Sequence, residues 1–209
     1  MTQSRPIALT IAGSEPSGGA GIQADLKTFT VLGVYGASVI TALTAQNTRG
    51  VTGVHKVPAD FITAQFAAVS SDLTIGATKT GMLGDEETVR TVARLILGAK
   101  LSPVVVDPVM VATSGDVLLA PDAIAAVRSL MLPLATLITP NLPEAAKLLD
   151  QPIAATDVEA ERQAQDLLNF GCGAVLLKGG HGEGADSVDV LVSRAGTIRL
   201  AKPRIVTPN

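Results

Sequence analysis

A doubly wound, mostly parallel α/β sheet with helices on both faces is predicted by three features of the sequence. Strand-like runs alternate with helical runs as far as residue 200, which implies crossover connections between parallel strands. The strand-like runs are short and apolar, as in strands covered on both faces. The chain has 209 residues, 47% of them hydrophobic, so residues 1–209 are predicted to form one domain.

The first strand and the first helix flank a glycine-rich loop. Residues 7–12, IALTIA, are predicted as a buried strand. Residues 21–33 are predicted as a helix because apolar residues recur at helical spacing on one face, at Ile22, Leu26, Phe29 and Leu32. Residues 13–25, GSEPSGGAGIQAD, include four glycines within nine positions. Glycine lets the backbone approach a ligand closely, so the loop is either a cradle for something small or a permissive turn without a ligand.

The later elements continue the alternation. Further strands are predicted at residues 37–43, 74–80, 103–107, 135–140 and 173–180. Further helices are predicted at residues 59–73, 85–97, 121–132, 143–150 and 157–170. A hairpin is predicted at residues 188–200. Sheets of this class bind ligands at the carboxyl ends of their strands, so functional side chains are expected there.

Two well-known nucleotide-binding patterns fail on the glycine loop. Residues 19–24 match the dinucleotide-binding pattern G-x-G-x-x-G/A. That pattern needs an acidic residue about 20 positions later to bind the ribose, and no Asp or Glu occurs between Lys27 and Ala59. The phosphate-loop pattern fails because Gly19 and Ala20 stand where it requires Lys and Ser or Thr. The loop is therefore not predicted to bind a nucleotide.

Composition excludes several classes of function. A net charge of −3, five aromatic residues and no Trp leave neither a basic face nor stacking platforms, so no nucleic-acid partner is expected. No apolar run approaches the roughly 18 residues of a membrane span, and the short run at residues 7–12 is a poor signal peptide. One Cys and two His exclude a disulfide framework and a zinc cluster. The expected location is the cytoplasm.

Polar side chains follow several of the predicted strands, at Gln46, Asp107, Asn141, Glu144 and Lys178. Each has a purely structural explanation. Asp107 before a proline fits an Asx turn, Asn141 and Glu144 fit a helix capping box, and Lys178 could simply be solvated. Taken one at a time, these explanations are favoured.

Taken together, the same side chains favour phosphoryl transfer. Two carboxylates could hold Mg²⁺, and a lysine followed by two glycines could neutralise and approach phosphate oxygens. Gln46 suits a different task, because its amide presents a donor and an acceptor side by side, the complement of an aminopyrimidine edge. Met82, at another strand end, is either core filling or a polarizable wall against a flat ring. Cys172 has no neighbouring base or cation and is predicted to be a core thiol.

Longer motifs carry a specific resemblance over essentially the whole chain. The chain resembles the hydroxymethylpyrimidine/phosphomethylpyrimidine kinases of thiamine biosynthesis, a family of the ribokinase-like superfamily. The motifs that carry the resemblance are LTIAGSEPSGGAGIQADLKTF, SVITALTAQNTRGV, TKTGMLGD, VVVDPVMVATSGD, LITPNLPEAAKLL and VLLKGGH. One departure is Glu15, where the family usually has Asp.

The resemblance implies a ribokinase-like fold and MgATP-dependent phosphorylation of 4-amino-5-hydroxymethyl-2-methylpyrimidine and of its monophosphate. Carried over by motif, Gln46 would bind the pyrimidine, Asp107 and Glu144 would serve the Mg²⁺ site, and Asn141 and Lys178 would lie near the ATP phosphates. The remaining pocket residues implied are Gly13, Ala20, Asp25, Met82 and Val109. The glycine loop would then cradle a substrate ring. The family also suggests a homodimer.

The resemblance places the family's catalytic turn beyond the last residue. In the family a Gly-Thr-Gly-Cys turn, with Asp for Cys in many relatives, supplies the anion hole and the residue at the attacking hydroxyl. The chain stops at Asn209, before that turn. We therefore expect a domain without its C-terminal part, no catalytic residue of the family within these 209 residues, and no useful turnover from a protein ending at Asn209.

Two other functions remain open from the sequence. Pyridoxal kinases share the fold and take a substrate of overlapping shape. A non-catalytic pyrimidine-binding protein is the alternative from a different class, and it depends on the catalytic turn being absent. Competition between pyridoxal and the pyrimidine in an ATPase assay would distinguish a pyridoxal kinase from the pyrimidine kinase. A Gly-x-Gly-Cys or Gly-x-Gly-Asp turn soon after Asn209 would favour the enzyme over the non-catalytic binding protein.

Overall fold

Nine strands form one sheet in the part of the chain that the computed structural model describes, residues 5–110, 119–180 and 186–205. The strands are β1 Ile7–Ser14, β2 Tyr35–Asn47, β3 Gly50–Lys56, β4 Ala77–Thr80, β5 Val104–Val106, β6 Leu137–Ile138, β7 Ala174–Leu177, β8 Asp186–Ser193 and β9 Gly196–Pro203. The helices are α1 Gly21–Val31, α2 Ala59–Asp72, α3 Glu86–Gly98, α4 Pro121–Ala126, α5 Leu142–Leu149 and α6 Asp157–Leu167. The motif residues 111–118 and the chain end at Asn209 lie outside the described residues.

The strand order is β3-β2-β1-β4-β5-β6-β7-β8-β9. Six neighbouring strands of the sheet are parallel, in the order β2, β1, β4, β5, β6 and β7. Strand β3 pairs antiparallel at one edge, and β8 and β9 add antiparallel strands at the other. The mostly parallel sheet and the C-terminal hairpin, formed by β8 and β9, are therefore confirmed. Strand β3 was not predicted. It is almost wholly exposed and contains two glycines, so it has no buried apolar face to mark it in the sequence.

Helices cover both faces of the sheet, as predicted. Helix α1 leads from β1 to β2, whereas α3, α4 and the α5–α6 pair lead from β4 through β5 and β6 to β7, in the opposite direction across the sheet. Because such crossovers are right-handed, α1 lies on one face of the sheet, and α3, α4, α5 and α6 lie on the opposite face. The chain order reverses between β1 and β4, which makes this point the expected ligand crevice.

Capping side chains define where several helices begin. Asp85 accepts a hydrogen bond from the Thr88 N–H at the start of α3. Asn141 and Glu144 form the predicted capping box at the start of α5. The predicted helix at residues 121–132 is more irregular than expected: α4 is followed by a π-helical turn over Val127–Met131 and a 3₁₀ turn over Leu132–Leu134. The proline within that last turn has no backbone N–H to donate, so a regular α-helix does not continue through it.

The largest hydrophobic cluster lies between the sheet and the helices α2 to α6. The inward-facing residues of β1, Leu9 and Ile11, are fully buried, as are Ile62 of α2, Ile96 of α3 and Leu167 of α6. This packing holds the central strands rigidly, so their carboxyl ends form a fixed edge for a site. Among the described residues, none of the helices is both long and apolar enough to cross a membrane.

Candidate active site

A cavity of about 280 Å³ opens where the chain order of the sheet reverses. The ends of β1, β2, β4 and β5 and the first turn of α1 surround it. Its lining residues are Ala12, Gly13, Ser14, Glu15, Ala20, Gly21, Ala24, Asp25, Thr44, Gln46, Lys79, Gly81, Met82, Asp107 and Val109. The cavity therefore lies at the position that the topology of the sheet favours for a ligand.

All six residues that the sequence proposed for a pyrimidine pocket line this cavity. They come from five separate segments, so the fold brings together what the chain separates. The backbone of β1 bulges between Ala12 and Ser14, and a Cβ added to Gly13 would lie 2.5 Å from the Met82 Cε. The glycine therefore leaves room for the end of the Met82 side chain at the cavity wall, where Met82 is 8% exposed.

Gln46 lies at the open end of β2 and is partly buried. Its Oε1 accepts a long hydrogen bond of 3.4 Å from the Thr44 hydroxyl, whose stronger contact is donation to the Ser14 carbonyl at 3.0 Å. The Gln46 amide nitrogen donates to no other residue that the structure describes. The amide therefore retains both a donor and an acceptor for a ligand in the cavity.

The glycine loop is held by one carboxylate. Glu15, only 4% exposed, accepts hydrogen bonds from the backbone N–H groups of Ser17, Gly19 and Ala20 at 2.9, 2.8 and 3.2 Å. Burial by itself raises the pKa of Glu15, but these hydrogen bonds outweigh it and lower the pKa from its ordinary value of 4.5. In the sequence, Glu15 stands out only as a departure from a family pattern. An acidic side chain before Pro-Ser-Gly-Gly was the available signal.

Asp25 carries a second cluster on the cavity wall. Its Oδ2 accepts a hydrogen bond of 2.6 Å from the Thr10 hydroxyl. The Lys79 ammonium contacts both carboxylate oxygens of Asp25, at 3.0 and 2.9 Å. Sequence reasoning missed Lys79. The signal that could have found it is a charged residue inside a strand predicted to be covered on both faces, because such a charge needs a partner.

A further polar cluster, at the ends of β5, β6 and β7, adjoins the cavity through Asp107. The Oδ1 atom of Asp107 accepts from the Lys178 ammonium at 3.0 Å and from the Thr139 hydroxyl at 3.2 Å. Asn141 and Lys178 follow neighbouring strands and are joined by a parallel bridge. The four residues assigned by resemblance to Mg²⁺ and ATP phosphates, Asp107, Asn141, Glu144 and Lys178, thus meet at one edge of the sheet.

Glu144 is buried at the start of α5. Its Oε2 accepts from the Asn141 N–H at 2.8 Å, and the Asn141 side chain accepts from the Glu144 N–H at 2.8 Å. Burial raises the pKa of Glu144, against the lowering effects of the Asn141 N–H and the Lys178 charge. The capping role is therefore realised, and it leaves the proposed metal role of the same carboxylate as a prediction.

Whether this edge of the sheet can bind Mg²⁺ depends on the carboxylate oxygens of Asp107 and Glu144 that accept no other hydrogen bond. Both contacts of Asp107 fall on Oδ1, and the capping contact of Glu144 falls on Oε2. The second oxygen of Asp107 therefore keeps acceptor capacity for a metal, whereas Glu144, which also interacts with the Met110 N–H, keeps less. No group of three or more His, Cys, Asp and Glu residues suited to a metal occurs among the residues described. Two carboxylates suit Mg²⁺, which usually completes its octahedron with water and substrate phosphates.

Cys172 lies away from the clusters around Glu15, Asp25 and Asp107 and is confirmed as a core thiol. It is 4% exposed, and its Sγ contacts the Leu167 carbonyl at 3.6 Å. Burial raises its pKa to about 11. A thiol with this environment is protonated at neutral pH and is a poor nucleophile.

We expect a disulfide reagent such as DTNB to modify Cys172 in the native protein at pH 8 about 100-fold or more slowly than in urea. The native thiol is both buried and rarely ionised, and unfolding removes both barriers. Absorbance of the released thiolate measures the two rates. Similar rates under the two conditions would show that Cys172 is accessible and would contradict its placement in the core.

The sheet, its crevice and the clusters around Asp25 and Asp107 define an α/β protein with a small-ligand site at the point of chain reversal. Comparison with known proteins is more specific. The family profile described as phosphomethylpyrimidine kinase matches residues 15–209. The chain belongs to this family of phosphotransferases.

Two relatives illustrate the similarity in sequence. The hydroxymethylpyrimidine/phosphomethylpyrimidine kinase of Escherichia coli (strain K12) is 56% identical over 202 residues, covering 97% of this chain and 76% of that protein. The thiamine biosynthesis bifunctional protein ThiED of Geobacter sulfurreducens is 50% identical over 202 residues, covering 96% of this chain and 41% of that protein.

Solved structures confirm the ribokinase-like fold. The phosphomethylpyrimidine kinase of Clostridium difficile 630 superimposes with a TM-score of 0.86 and 42% identity, covering 93% of this chain and 84% of that one. An ADP complex of Bacillus subtilis pyridoxal kinase gives a TM-score of 0.90 and 38% identity, covering 98% of this chain and 78% of that one.

Proposed function

We propose that the protein transfers the γ-phosphoryl group of ATP to the hydroxymethyl group of 4-amino-5-hydroxymethyl-2-methylpyrimidine, and in a second reaction to the resulting monophosphate, in thiamine biosynthesis. The observation that carries the proposal is the cavity at the point of chain reversal, lined by Gln46 and opening beside the cluster around Asp107. Membership of the phosphomethylpyrimidine kinase family supports the same substrate class.

The proposed pyrimidine pocket uses the flat walls and the single amide of the cavity. Met82 and Val109 supply apolar walls for a ring, and the backbone at Gly13 and Ala20 supplies a close third side. Gln46 would pair with the ring nitrogen and the neighbouring amino group, giving a donor and an acceptor in one plane. Asp25 completes the wall opposite.

We place the ATP-binding part of the site next to the cavity, at the ends of β5, β6 and β7. Lys178 and Asn141 would contact the phosphates, and Asp107 and Glu144 would hold Mg²⁺, directly or through water. When bound, Mg²⁺ would neutralise charge on the transferring phosphoryl group. Asp107 would also keep the Lys178 ammonium at the edge of the cavity, 3.0 Å away, where attacking and transferred groups must meet.

Gln46→Ala is expected to weaken pyrimidine binding by about 1–3 kcal/mol, because polar atoms of the ring would lose their partners on leaving water. Isothermal titration calorimetry with the hydroxymethylpyrimidine measures the change. Asn47→Ala is the matched control, since Asn47 is the next amide along β2 and does not line the cavity. An unchanged affinity in Gln46→Ala would remove Gln46 from the site.

The reaction itself is tested by supplying ATP and Mg²⁺ with each substrate in turn, following ADP and identifying the phosphorylated product by mass spectrometry. In an enzyme that includes the family's Gly-Thr-Gly-Cys turn, we expect product from the hydroxymethylpyrimidine and from its monophosphate. Pyridoxal is the second substrate to test, because the fold superimposes on a pyridoxal kinase with a TM-score of 0.90. A kcat/KM for pyridoxal above that for the pyrimidine would overturn the proposed substrate.

Three further expectations stay predictions: one domain over residues 1–209, a cytoplasmic location and a homodimer. A single cooperative unfolding transition would support the first. Fractionation of cells and light scattering of the purified protein test the other two.

A further inference from the structure

Lys79 places a positive charge on the wall of the substrate cavity. It lies within β4 between two buried threonines, and its side chain is 23% exposed. The ammonium contacts both oxygens of Asp25, which lies in α1, and Thr10 fixes that carboxylate from β1. Three elements thus hold this one ammonium group in place, and both members of the ion pair line the cavity.

The fold leaves space for this ammonium. A Cβ added to Gly81 would lie 3.1 Å from the Lys79 Nζ and 3.0 Å from the Ala12 Cβ. Any larger residue at position 81 would therefore press on the Lys79 side chain or on β1. The absence of a side chain at Gly81, itself a lining residue, keeps the ammonium next to the cavity.

Lys79 is the one cationic side chain among the described residues that line the cavity, which also carries the carboxylates Glu15, Asp25 and Asp107. The charge of Glu15 is met by backbone N–H groups, and that of Asp107 by Lys178. An ammonium has three donors, and the contacts of Lys79 to the residues described are both with Asp25. Lys79 therefore keeps a donor for a ligand.

We propose that Lys79 binds the phosphate of the monophosphate substrate in the second reaction and contributes little to holding the neutral alcohol. The inference rests on the proposed function, which requires one cavity to accept both molecules. A phosphate monoester carries about −1.5 to −2 charges at pH 7, and Asp25, whose cationic partner is Lys79, would repel it if that ammonium were absent. An ammonium beside the cavity offsets that repulsion, and lysine is a common phosphate ligand.

Direct binding tests the proposal without catalysis. Calorimetry with each pyrimidine, in the absence of ATP and Mg²⁺, compares the wild-type protein with Lys79→Met and Lys79→Arg. We expect Lys79→Met to weaken binding of the monophosphate about 10- to 100-fold and binding of the alcohol less than about threefold. Lys79→Arg keeps the charge and should restore most of the monophosphate affinity. Lys56→Met, which breaks the exposed ion pair with Asp85, is the control for loss of a lysine elsewhere.

Equal weakening of both ligands in Lys79→Met would overturn the proposal and show that Lys79 only braces Asp25. Acetylation footprinting of the wild-type protein tests the same point if that variant fails to fold. Saturating monophosphate should slow acetylation of Lys79 at least about fivefold more than saturating alcohol does, with Lys56 unchanged. Equal protection by the two ligands would again overturn it. If the wild-type protein binds neither pyrimidine, the proposed function itself fails, and this inference fails with it.

Discussion

In an enzyme that includes the family's Gly-Thr-Gly-Cys turn, Asp107→Asn is expected to lower kcat for pyrimidine phosphorylation by about 10²–10³-fold while the protein remains folded. Asp107 is the residue shared by the substrate cavity and the edge cluster, and its Oδ1 holds the Lys178 ammonium at 3.0 Å. Asparagine has nearly the same shape but no charge, so it weakens both the hold on Lys178 and the affinity for Mg²⁺. The KM for the pyrimidine should change much less, because Gln46 and the apolar walls are untouched.

Steady-state kinetics at several Mg²⁺ concentrations measure the effect. If Asp107 and Glu144 serve one ion, Glu144→Gln should also lower kcat and raise the Mg²⁺ requirement, and the double variant should be non-additive. Glutamine preserves a capping box, so a capping role alone predicts near-normal turnover. Glu159→Gln, in the corresponding capping box of α6, is the matched control. Normal kinetics in Glu144→Gln would refute the metal role of Glu144.

Glu15→Ala is expected to lower the free energy of unfolding by about 1.5–3 kcal/mol and to weaken pyrimidine binding. The substitution leaves three backbone N–H groups of the glycine loop without their carboxylate partner, in a loop that forms one side of the cavity. Urea unfolding at pH 7 and calorimetry measure the two effects. Glu86→Ala, which removes an exposed helical ion pair, should cost no more than about 1 kcal/mol.

The pH dependence distinguishes a charged Glu15 from a merely well-packed one. The pKa of Glu15 is lowered in the folded protein, so its stabilising contribution is complete above the unfolded value of about 4.5. That contribution is lost as the pH falls through the lower folded value, where the carboxylate is protonated. The stability gap between wild type and Glu15→Ala should therefore narrow below about pH 4.5. A gap that is constant from pH 7 to pH 3 would contradict this account.

Several residues of the candidate site could be predicted from the sequence because the sequence shows where the strands end. Short apolar runs locate the strands, and the polar residues that follow them converge at one edge in a parallel sheet. Gln46, Asp107 and Lys178 were found in this way, and all lie at that edge. The capping box of Asn141 and Glu144 was equally visible, since it depends on local spacing alone.

What the sequence determined by itself is therefore the fold class, the succession of strands and helices along the chain and the approximate positions of the polar strand ends, because hydrophobic period and capping are local properties. The tertiary structure alone decided three matters. It added the exposed edge strand β3, it folded the backbone of the glycine loop around Glu15, and it brought Lys79 to Asp25 across 54 residues. The edge strand and the Lys79 ion pair depend on pairing between distant segments, and the loop around Glu15 depends on the burial of a charged group among backbone N–H donors; hydrophobic period and helix capping encode neither.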